Sequence, residues 1–300
     1  MGVCDIMESR GDSRGTLTLL GTSQDGGLPQ AGCSCKNCYL SFKQEELRRY
    51  PVSLGLQDSN GSMHLIEATR SLPDQLMIWA ESLGLDEPVR PDSVIVTHAH
   101  LGHIEGLGQF GKEVMGCQDL PLFASNSVIE VIKQKGFSLP FKINSFQGGN
   151  NCKIELPGII LEFIPVPHRD DVSDTHAILI VGENNRILFL PDHDDWDQTL
   201  TAMNCDNPRE WFNSLELTHA LIDATFWSND ELGGRDMSDV PHPVVIETIE
   251  RLGKRLDSDP EITFIHMNHT NPLNDLNSEE RKTVMTAGWC IGERGSHFIL

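Results

Sequence analysis

Three histidines lie within six positions of one segment, which reads Thr97-His-Ala-His-Leu-Gly-His-Ile-Glu-Gly106. His98 and His100 are two residues apart, so in extended chain their rings point the same way, and His103 can enter from the helix that follows. Neutral imidazole is the commonest ligand of divalent transition metals in proteins. The spacing therefore predicts a metal site, with a solvated histidine-rich turn as the alternative.

Further candidate ligands follow the ends of three apolar, strand-like runs: His168, Asp192 and His266. A ligand at a strand end is held by the sheet and faces a common rim, so residues that are distant in sequence can assemble one rigid site. Taken singly, each of these residues could equally be a capping or surface residue. We expect all three to lie near the histidine segment.

A second group of metal-binding residue types is Cys33, Cys35 and Cys38. Disulfides among residues so close together would be strained, and eight cysteines in 300 residues are too few for a disulfide scaffold. The crowding predicts a metal site in a reducing compartment, with free surface thiols as the alternative. Because residues 1–15 carry both charges and no apolar core, we expect no secretory signal and a cytoplasmic protein.

The elements that must position these residues interleave strands with helices. The apolar runs predict strands at 16–20, 62–67, 93–97, 122–124, 159–166, 177–181, 187–190, 220–222 and 262–265. Helical periodicity predicts helices at 73–83, 103–110, 125–134, 208–217, 244–252 and 278–287. This pattern is typical of an α/β protein in which helices cover the outer faces of sheets. No linker divides the chain, so we expect a flexible tail over 1–15 and one domain over 16–300.

The charge balance limits the possible partners. The chain carries 23 Lys and Arg against 44 Asp and Glu, a net charge of −21, which would repel phosphate backbones. No apolar run approaches the roughly 18 residues that a membrane-spanning helix needs. We therefore expect a small-molecule substrate, no long nucleic acid and no membrane partner, and the sequence leaves the oligomeric state open.

The order of the candidate ligands resembles the signature of the metallo-β-lactamase superfamily. That signature is His-x-His-x-Asp-His, followed by a His, an Asp and a final His at later strand ends. The resemblance implies an αββα sandwich, in which two mixed sheets carry helices on their outer faces. It also implies that a first divalent metal is bound by His98, His100 and His168.

The same resemblance assigns a second metal to His103, Asp192 and His266. Asp192 would bridge the two ions, because a carboxylate has two oxygens to offer. Glu67 matches the acidic residue of the superfamily that orients the ligands from behind. If the second ion is absent, we expect His103, Asp192 and His266 to position water and substrate instead.

One position departs from the signature, because Gly102 stands where the superfamily has an aspartate. The missing carboxylate would leave the second ion with one ligand fewer, or leave a site with a single ion. Asp170, Asp171, Asp194 or Asp195 could supply the missing oxygen, with solvated acidic loops as the alternative. The loss also removes a candidate general base.

Three longer stretches resemble the family of pyrroloquinoline-quinone biosynthesis protein B, PqqB: 20–38, 223–231 and 264–272. Phosphodiesterases of the PhnP type have a similar cysteine loop. The resemblance implies a structural zinc held by the three cysteines and completed by His269, for which a surface histidine is the alternative. Such a closed site would stabilise a loop that lacks a core of its own.

We expect a metal-dependent hydrolase that uses a metal-activated water on a small phosphodiester or ester, with Asp192 and His103 as catalytic residues. The cofactors would be the structural zinc and one or two ions of Zn, Mn or Fe. A PqqB-like, iron-dependent oxidative enzyme or a carrier in quinone-cofactor biosynthesis is the alternative, because three imidazoles suit Fe(II) as well as Zn(II). A third possibility is a binding protein with a damaged second site. His242 could approach the substrate, or be an exposed loop residue.

Overall fold

Two seven-stranded sheets stack on each other and helices cover both outer faces. The computed structural model describes residues 14–169, 171–232 and 240–300. The layered arrangement and the mixed sheets confirm the predicted αββα sandwich. Of the predicted flexible tail, residues 1–13 lie outside the described residues, as does Asp170.

The first sheet is built from the N-terminal half of the chain and one C-terminal strand. In spatial order it contains β14 (His297–Ile299), β1 (Thr16–Gly21), β2 (Ser53–Gln57), β3 (Met63–Ile66), β4 (Ser93–Ile95), β5 (Leu120–Ser125) and β6 (Phe141–Phe146). The pairs from β14 to β3 are antiparallel and those from β3 to β6 are parallel. The predicted strands β1, β3, β4 and β5 are confirmed, whereas β2, β6 and β14 were not predicted.

The second sheet repeats this arrangement with residues of the C-terminal half. In spatial order it contains β13 (Cys290–Ile291), β12 (Glu261–Ile265), β11 (His219–Asp223), β10 (Arg186–Leu190), β9 (Thr175–Val181), β8 (Ile159–Val166) and β7 (Cys152–Leu156). The pairs from β7 to β10 are antiparallel and those from β10 to β13 are parallel. The predicted strands β8 to β12 are confirmed.

Eight α-helices occur among the described residues. They are α1 (Lys36–Lys43), α2 (Leu72–Ser82), α3 (Leu101–Ile104), α4 (Asn126–Gln134), α5 (Trp196–Met203), α6 (Pro208–Ser214), α7 (Val245–Leu252) and α8 (Glu279–Thr286). Short 3-10 helices occupy Glu45–Leu47, Glu105–Phe110 and Pro272–Asn274. The predicted helix at 103–110 is thus split between α3 and a 3-10 helix. No helix among the described residues has the length and apolar character to cross a bilayer.

Three apolar clusters hold the layers together. The middle one fills the space between the sheets and includes Leu54 of β2 and Phe189 of β10. The outer ones pack α2 and α4 on the first sheet, and α5 to α8 on the second. Burying apolar surface on both faces of each sheet fixes the register of the strands, because a slip of one residue would reverse the direction of every side chain.

Strand direction brings the chemically interesting loops to one rim. β1 and β3 both run antiparallel to β2, and β4 is parallel to β3, so the three strands end at the same edge. β8 and β10 both run antiparallel to β9, and β11 and β12 are parallel to β10, so their carboxyl ends also coincide. The residues that follow these strand ends form the site described next.

Candidate metal centre

Three histidines from two sheets meet at the rim. His98 and His100 follow β4, His168 follows β8, and a ligand atom of each lies within 4.8 Å of the others. Nε2 of His98 is 3.0 Å from Nδ1 of His100. All three side chains are almost inaccessible to solvent. The structure thus brings together the residues that the sequence assigns to a first metal.

The predicted second group lies directly beside the first and centres on Asp192. Oδ2 of this carboxylate is 3.3 Å from Nε2 of His103, and Oδ1 is 3.5 Å from Nε2 of His266. Oδ1 is also 3.5 Å from Nε2 of His168, which belongs to the first group. Asp192 therefore contacts both groups, as a bridging ligand would.

These separations indicate what the groups can hold. They exceed the usual N–H···O distance of about 2.9–3.0 Å. Two ligands at about 2.0–2.1 Å from one tetrahedral Zn²⁺ would lie about 3.4 Å apart. Nε2 of His103, His168 and His266 and Oδ2 of Asp192 are buried without a hydrogen-bond partner among the described residues. Since buried polar atoms are normally satisfied, this set of ligand atoms fits divalent metal ions.

Hydroxyl groups hold the outer edges of two of the imidazoles. Oγ1 of Thr97 lies 2.9 Å from Nδ1 of His98, and Oγ1 of Thr225 lies 2.9 Å from Nδ1 of His266. Because the outer nitrogen of each ring is occupied, the inner nitrogen is directed towards the centre. Outer partners of this kind fix the tautomer and orientation of metal-binding histidines.

Glu67, to which the resemblance gives a supporting role, lies beside His103. It is fully buried, its Oε2 lies 3.5 Å from Nδ1 of His103, and its Oε1 accepts a hydrogen bond from the backbone N–H of Thr97. Glu67 and His266 each follow a strand directly and have positive φ angles, 66° and 61°. Such strained backbone in non-glycine residues clusters at functional sites.

Of the four aspartates that might replace the missing carboxylate, the three that the structure describes do not share one position. Asp171 is 71% exposed and its nearest oxygen is 4.0 Å from Nε2 of His100. Asp194 approaches the outer nitrogen Nδ1 of His168 at 3.2 Å, and Asp195 caps α5 by accepting from Gln198 N. Asp170 lies outside the described residues.

Asp25 is the carboxylate that sequence reasoning missed. It lies in the loop after β1, with Oδ1 3.5 Å from Nε2 of His103 and 3.7 Å from Nε2 of His266. A ligand atom of each of the three residues lies within 4.8 Å of the others. The available signal was that Asp25 is the only acidic residue between Gly21 and Cys35, and that it follows a strand end as the other candidates do.

His242 faces the centre as well, together with a partner that the sequence did not single out. Its side chain is only 4% exposed, and its Nδ1 lies 2.6 Å from Oδ2 of Asp223 at the end of β11. A ligand atom of His242 lies within 4.8 Å of those of His168 and Asp192. The alternative of an exposed loop histidine is therefore wrong.

The electrostatics of the rim favour the neutral form of His98 and His100 and the charged form of His103. Burial lowers the pKa of His98, and burial lowers the pKa of His100 to about 4. Burial also acts to lower the pKa of His103, but Asp192 and Glu67 outweigh it and raise that pKa well above its usual value. A divalent cation requires neutral imidazoles, so His98 and His100 are ready to bind one, whereas an ion at His103 would displace the proton that the carboxylates favour.

The cysteine group forms a separate cluster with His269. Sγ of Cys33, Cys35 and Cys38 each lie 3.5 Å from Nδ1 of His269. Sulfur at about 2.3 Å and nitrogen at about 2.1 Å from one tetrahedral zinc would lie about 3.6 Å apart. The equal distances therefore fit a closed four-ligand zinc site. We call these four residues the cysteine cluster.

The surrounding chain positions the cysteine cluster. Cys35 precedes α1, Cys38 lies within it, and His269 follows β12 by four residues. The backbone N–H of Gln30 donates to Sγ of Cys38, and Nδ2 of Asn37 donates to the carbonyl of His269. The surface-histidine alternative for His269 does not match this placement, because its ring points at three thiols.

Comparison with known sequences matches this chain to one family model and to several curated relatives. The family model described as beta-lactamase superfamily domain matches residues 65–257. Coenzyme PQQ synthesis protein B of Xanthomonas oryzae pv. oryzae is 22% identical over 320 aligned residues, which cover 95% of this chain and 99% of that protein.

Solved structures agree with the sequence matches. The Zn²⁺-bound PqqB of Methylobacterium extorquens superposes with a TM-score of 0.70 at 19% identity, covering 95% of this chain and 100% of that one. A diphosphatase of the PhnP family superposes with a TM-score of 0.64 at 22% identity, covering 96% and 97%. With the family model matching well over half of its residues, this chain belongs to the metallo-β-lactamase superfamily.

Proposed function

We propose that this protein is a metal-dependent hydrolase that acts on a small phosphodiester or ester. The observation that carries the proposal is the position of Asp192, whose two oxygens contact Nε2 of His103, His168 and His266. One carboxylate thus joins two groups of imidazoles in a buried site. A PhnP-family diphosphatase has a similar fold, and its name is the reason to include phosphoryl compounds among the substrates tested.

The residues divide into ligands and supporting groups. His98, His100 and His168 would hold one ion, and His103, Asp192 and His266 a second. When bound, such ions lower the pKa of water to supply a nucleophile at neutral pH, and they polarise the scissile phosphoryl or carbonyl group. Glu67 and the two threonines keep the rings oriented, so that little reorganisation is needed during the reaction.

We assign proton donation to the leaving group to His242. Its Nδ1–H is held by Asp223, so the opposite edge of the ring is available to the substrate. Burial acts to lower the pKa of His242, but the charge of Asp223 outweighs it and raises the pKa. The raised pKa favours the protonated ring, as a general acid requires.

Arg169 is the cationic side chain placed to meet an anionic substrate. One of its terminal nitrogens lies 3.2 Å from Nε2 of His100, at the edge of the first metal group. A guanidinium binds phosphate oxygens in a fixed, often bidentate geometry. The net charge of −21 would still repel large polyanions, so we propose a small substrate. A reducing, cytoplasmic location would keep the three clustered thiols available as ligands.

Elemental analysis combined with a substrate panel tests the proposal. Freshly purified protein should contain metal beyond one equivalent of structural zinc, and protein loaded with Zn, Mn or Fe should hydrolyse at least one phosphodiester, lactone or thioester. His98→Ala should lose the first ion and the turnover, whereas His297→Gln, at an exposed histidine on β14, should change neither. Stoichiometric metal without turnover of any ester class would refute the hydrolase.

The second candidate is an iron-dependent oxidative enzyme or carrier in quinone-cofactor biosynthesis. It is favoured by the match to PqqB sequences over 95% of the chain. Three imidazoles accept Fe(II) as readily as Zn(II). Anaerobic loading with Fe(II), followed by oxygen-uptake measurement with tyrosine-derived compounds, separates the candidates. Uptake without ester hydrolysis would favour this function over the hydrolase.

A further inference from the structure

We propose that Asp25 is a ligand of the second metal and that it takes the place of the carboxylate lost at Gly102. The inference rests on the proposed metal centre and adds to it the fourth residue of the second group. The carboxylate would come from the loop after β1 instead of from the histidine segment. The second group would then be complete, and the site would hold two ions.

Steric exclusion is the first argument. A Cβ atom built on Gly102 would lie 2.3 Å from Oδ1 of Asp25, 2.4 Å from its Cγ and 2.7 Å from its Cα. Carbon atoms of folded proteins are in contact at about 3.5–4.0 Å, so these distances are not tolerated. An aspartate at position 102 and the observed Asp25 therefore exclude each other. The absence of a side chain at 102 is what admits the Asp25 carboxylate.

The position of the carboxylate is the second argument. Oδ1 of Asp25 is 3.5 Å from Nε2 of His103 and 3.7 Å from Nε2 of His266. Asp192 approaches the same two nitrogens at 3.3 and 3.5 Å. The two aspartates thus lie beside the same two imidazole rings. Both Nε2 atoms are buried without a hydrogen-bond partner among the described residues, so they remain available to an ion.

The backbone holds the Asp25 loop in this place. The N–H of Gln24 donates to the carbonyl of Met267, and the N–H of Met267 donates to the carbonyl of Thr22. The loop is therefore tied to the residue that follows His266. Gly27, with a φ of 66°, allows the chain to turn back after Asp25, and its N–H donates to the carbonyl of Gln24. Such fixed positioning is what a metal ligand on a loop requires.

A reciprocal exchange of the two residues tests the proposal. Four proteins are loaded with Mn²⁺ after the cysteine cluster has been filled with zinc: the wild type, Asp25→Asn, the double variant Asp25→Gly/Gly102→Asp, and the control Asp171→Asn. Asp171 is a suitable control because it is a neighbouring but exposed carboxylate. Bound manganese is counted by elemental analysis, and the electron paramagnetic resonance spectrum reports whether two ions are spin-coupled through a bridge.

We expect two coupled manganese ions in the wild type and in Asp171→Asn. Asp25→Asn should weaken binding of the second ion at least tenfold and abolish the coupled spectrum, while the first ion and the zinc remain. The double variant should regain the second ion and the coupled spectrum. Regain is expected because the carboxylate then returns to the position that the superfamily signature gives it.

The outcomes separate this inference from the proposed function. Two coupled ions in Asp25→Asn, with unchanged affinity, would overturn the role of Asp25 and leave the metal centre intact. A single ion in the wild type would also overturn it, whereas no bound manganese at all would refute the metal centre itself. Circular dichroism and the zinc content would reveal whether the double variant misfolds. In that case Asp25→Asn alone tests the role of Asp25, because asparagine keeps the shape of the side chain.

Discussion

The cysteine cluster and the rim of histidines are both built to hold metal, yet they are assembled in opposite ways. Three of the four residues of the cysteine cluster come from six consecutive positions, and His269 closes the set. The rim draws His98, His168, Asp192 and His266 from the ends of four different strands. The first arrangement can form around one loop, whereas the second exists only when both sheets are packed.

This difference in assembly suggests a structural role for the cysteine cluster and a catalytic role for the rim. A four-ligand site of thiolates and one imidazole would leave a bound ion no free position, so we expect an ion there to contribute to stability. A site whose ligands project from rigid strand ends can keep positions open for substrate and water. Two chain segments nevertheless serve both sites. Residues 22–38 carry Asp25 and the cysteines, and residues 266–269 carry His266 and His269.

The strongest test of this division is removal of a ligand from the rim. His168→Ala should eliminate the first ion and lower kcat/KM by more than the ~100-fold that the loss of a supporting residue typically costs. The zinc of the cysteine cluster should remain at one equivalent, since His168 lies in a different group. Elemental analysis and steady-state kinetics provide the two readouts. Loss of zinc in parallel with the first ion would show that the sites are not independent.

Removal of a ligand from the cysteine cluster should have the opposite effect, with loss of the zinc and of stability. Cys38→Ser should lose the structural zinc and reduce the free energy of unfolding by about 4 kcal/mol, if free zinc exceeds its Kd about 1,000-fold. Denaturant titration with and without zinc measures this change. Cys152→Ser, which alters a free thiol on β7, is the matched control and should not change the zinc content. Equal stability of Cys38→Ser and wild type would contradict a structural role.

A smaller effect is expected from the residue behind His103. Glu67→Gln keeps the hydrogen bond from Thr97 possible but removes the charge beside Nδ1 of His103. Loss of such an outer partner should weaken binding of the second ion by about 10–100-fold. Competition with a metal-sensitive dye measures the affinity. Glu105→Gln, an exposed residue after α3, is the control, and equal affinities for both variants would argue against an orienting role for Glu67.

The sequence predicted the rim better than it predicted the first sheet. The histidines are adjacent to apolar runs that form strands, so their placement followed from strand ends. β2 was missed because its apolar pattern is interrupted by Gly55. In the structure, a Cβ at Gly55 would lie 2.4 Å from the ring of Trp79. The indole ring of this α2 residue therefore fills the space that a side chain at position 55 would otherwise occupy. Such compensation between distant residues leaves no local signal.

The exchange between Asp25 and Gly102 escaped prediction for the same reason. Gly102 was recognised as a departure from the signature, but Asp25, an acid in a glycine-rich loop, gave no local sign that it could compensate. Only tertiary structure shows that one occupies the space which the other leaves. Local spacing did predict that Cys33, Cys35 and Cys38 lie together, because their contact needs no distant strand.

The smallest expected difference between the two sites is the number of protons that they release when metal binds. Metal ligands must be deprotonated, so a ligand that is protonated before binding makes the affinity rise with pH. Burial raises the pKa of the Cys38 thiol to about 12, so at pH 6–8 this thiol carries a proton that zinc must displace. Burial lowers the pKa of His100 to about 4, so this ring is neutral in the same range, and burial lowers the pKa of His98 as well.

Each site can be measured separately in a variant that lacks the other. Calorimetric titration in buffers of different ionisation enthalpy should show at least one proton released per zinc by the cysteine cluster in His168→Ala. The first ion of the rim, measured in Cys38→Ser, should release fewer. Between pH 6 and 8, affinity should accordingly rise by about tenfold per unit of pH for each proton displaced. Equal proton release at the two sites would contradict the expected difference in protonation between the Cys38 thiol and the rim histidines.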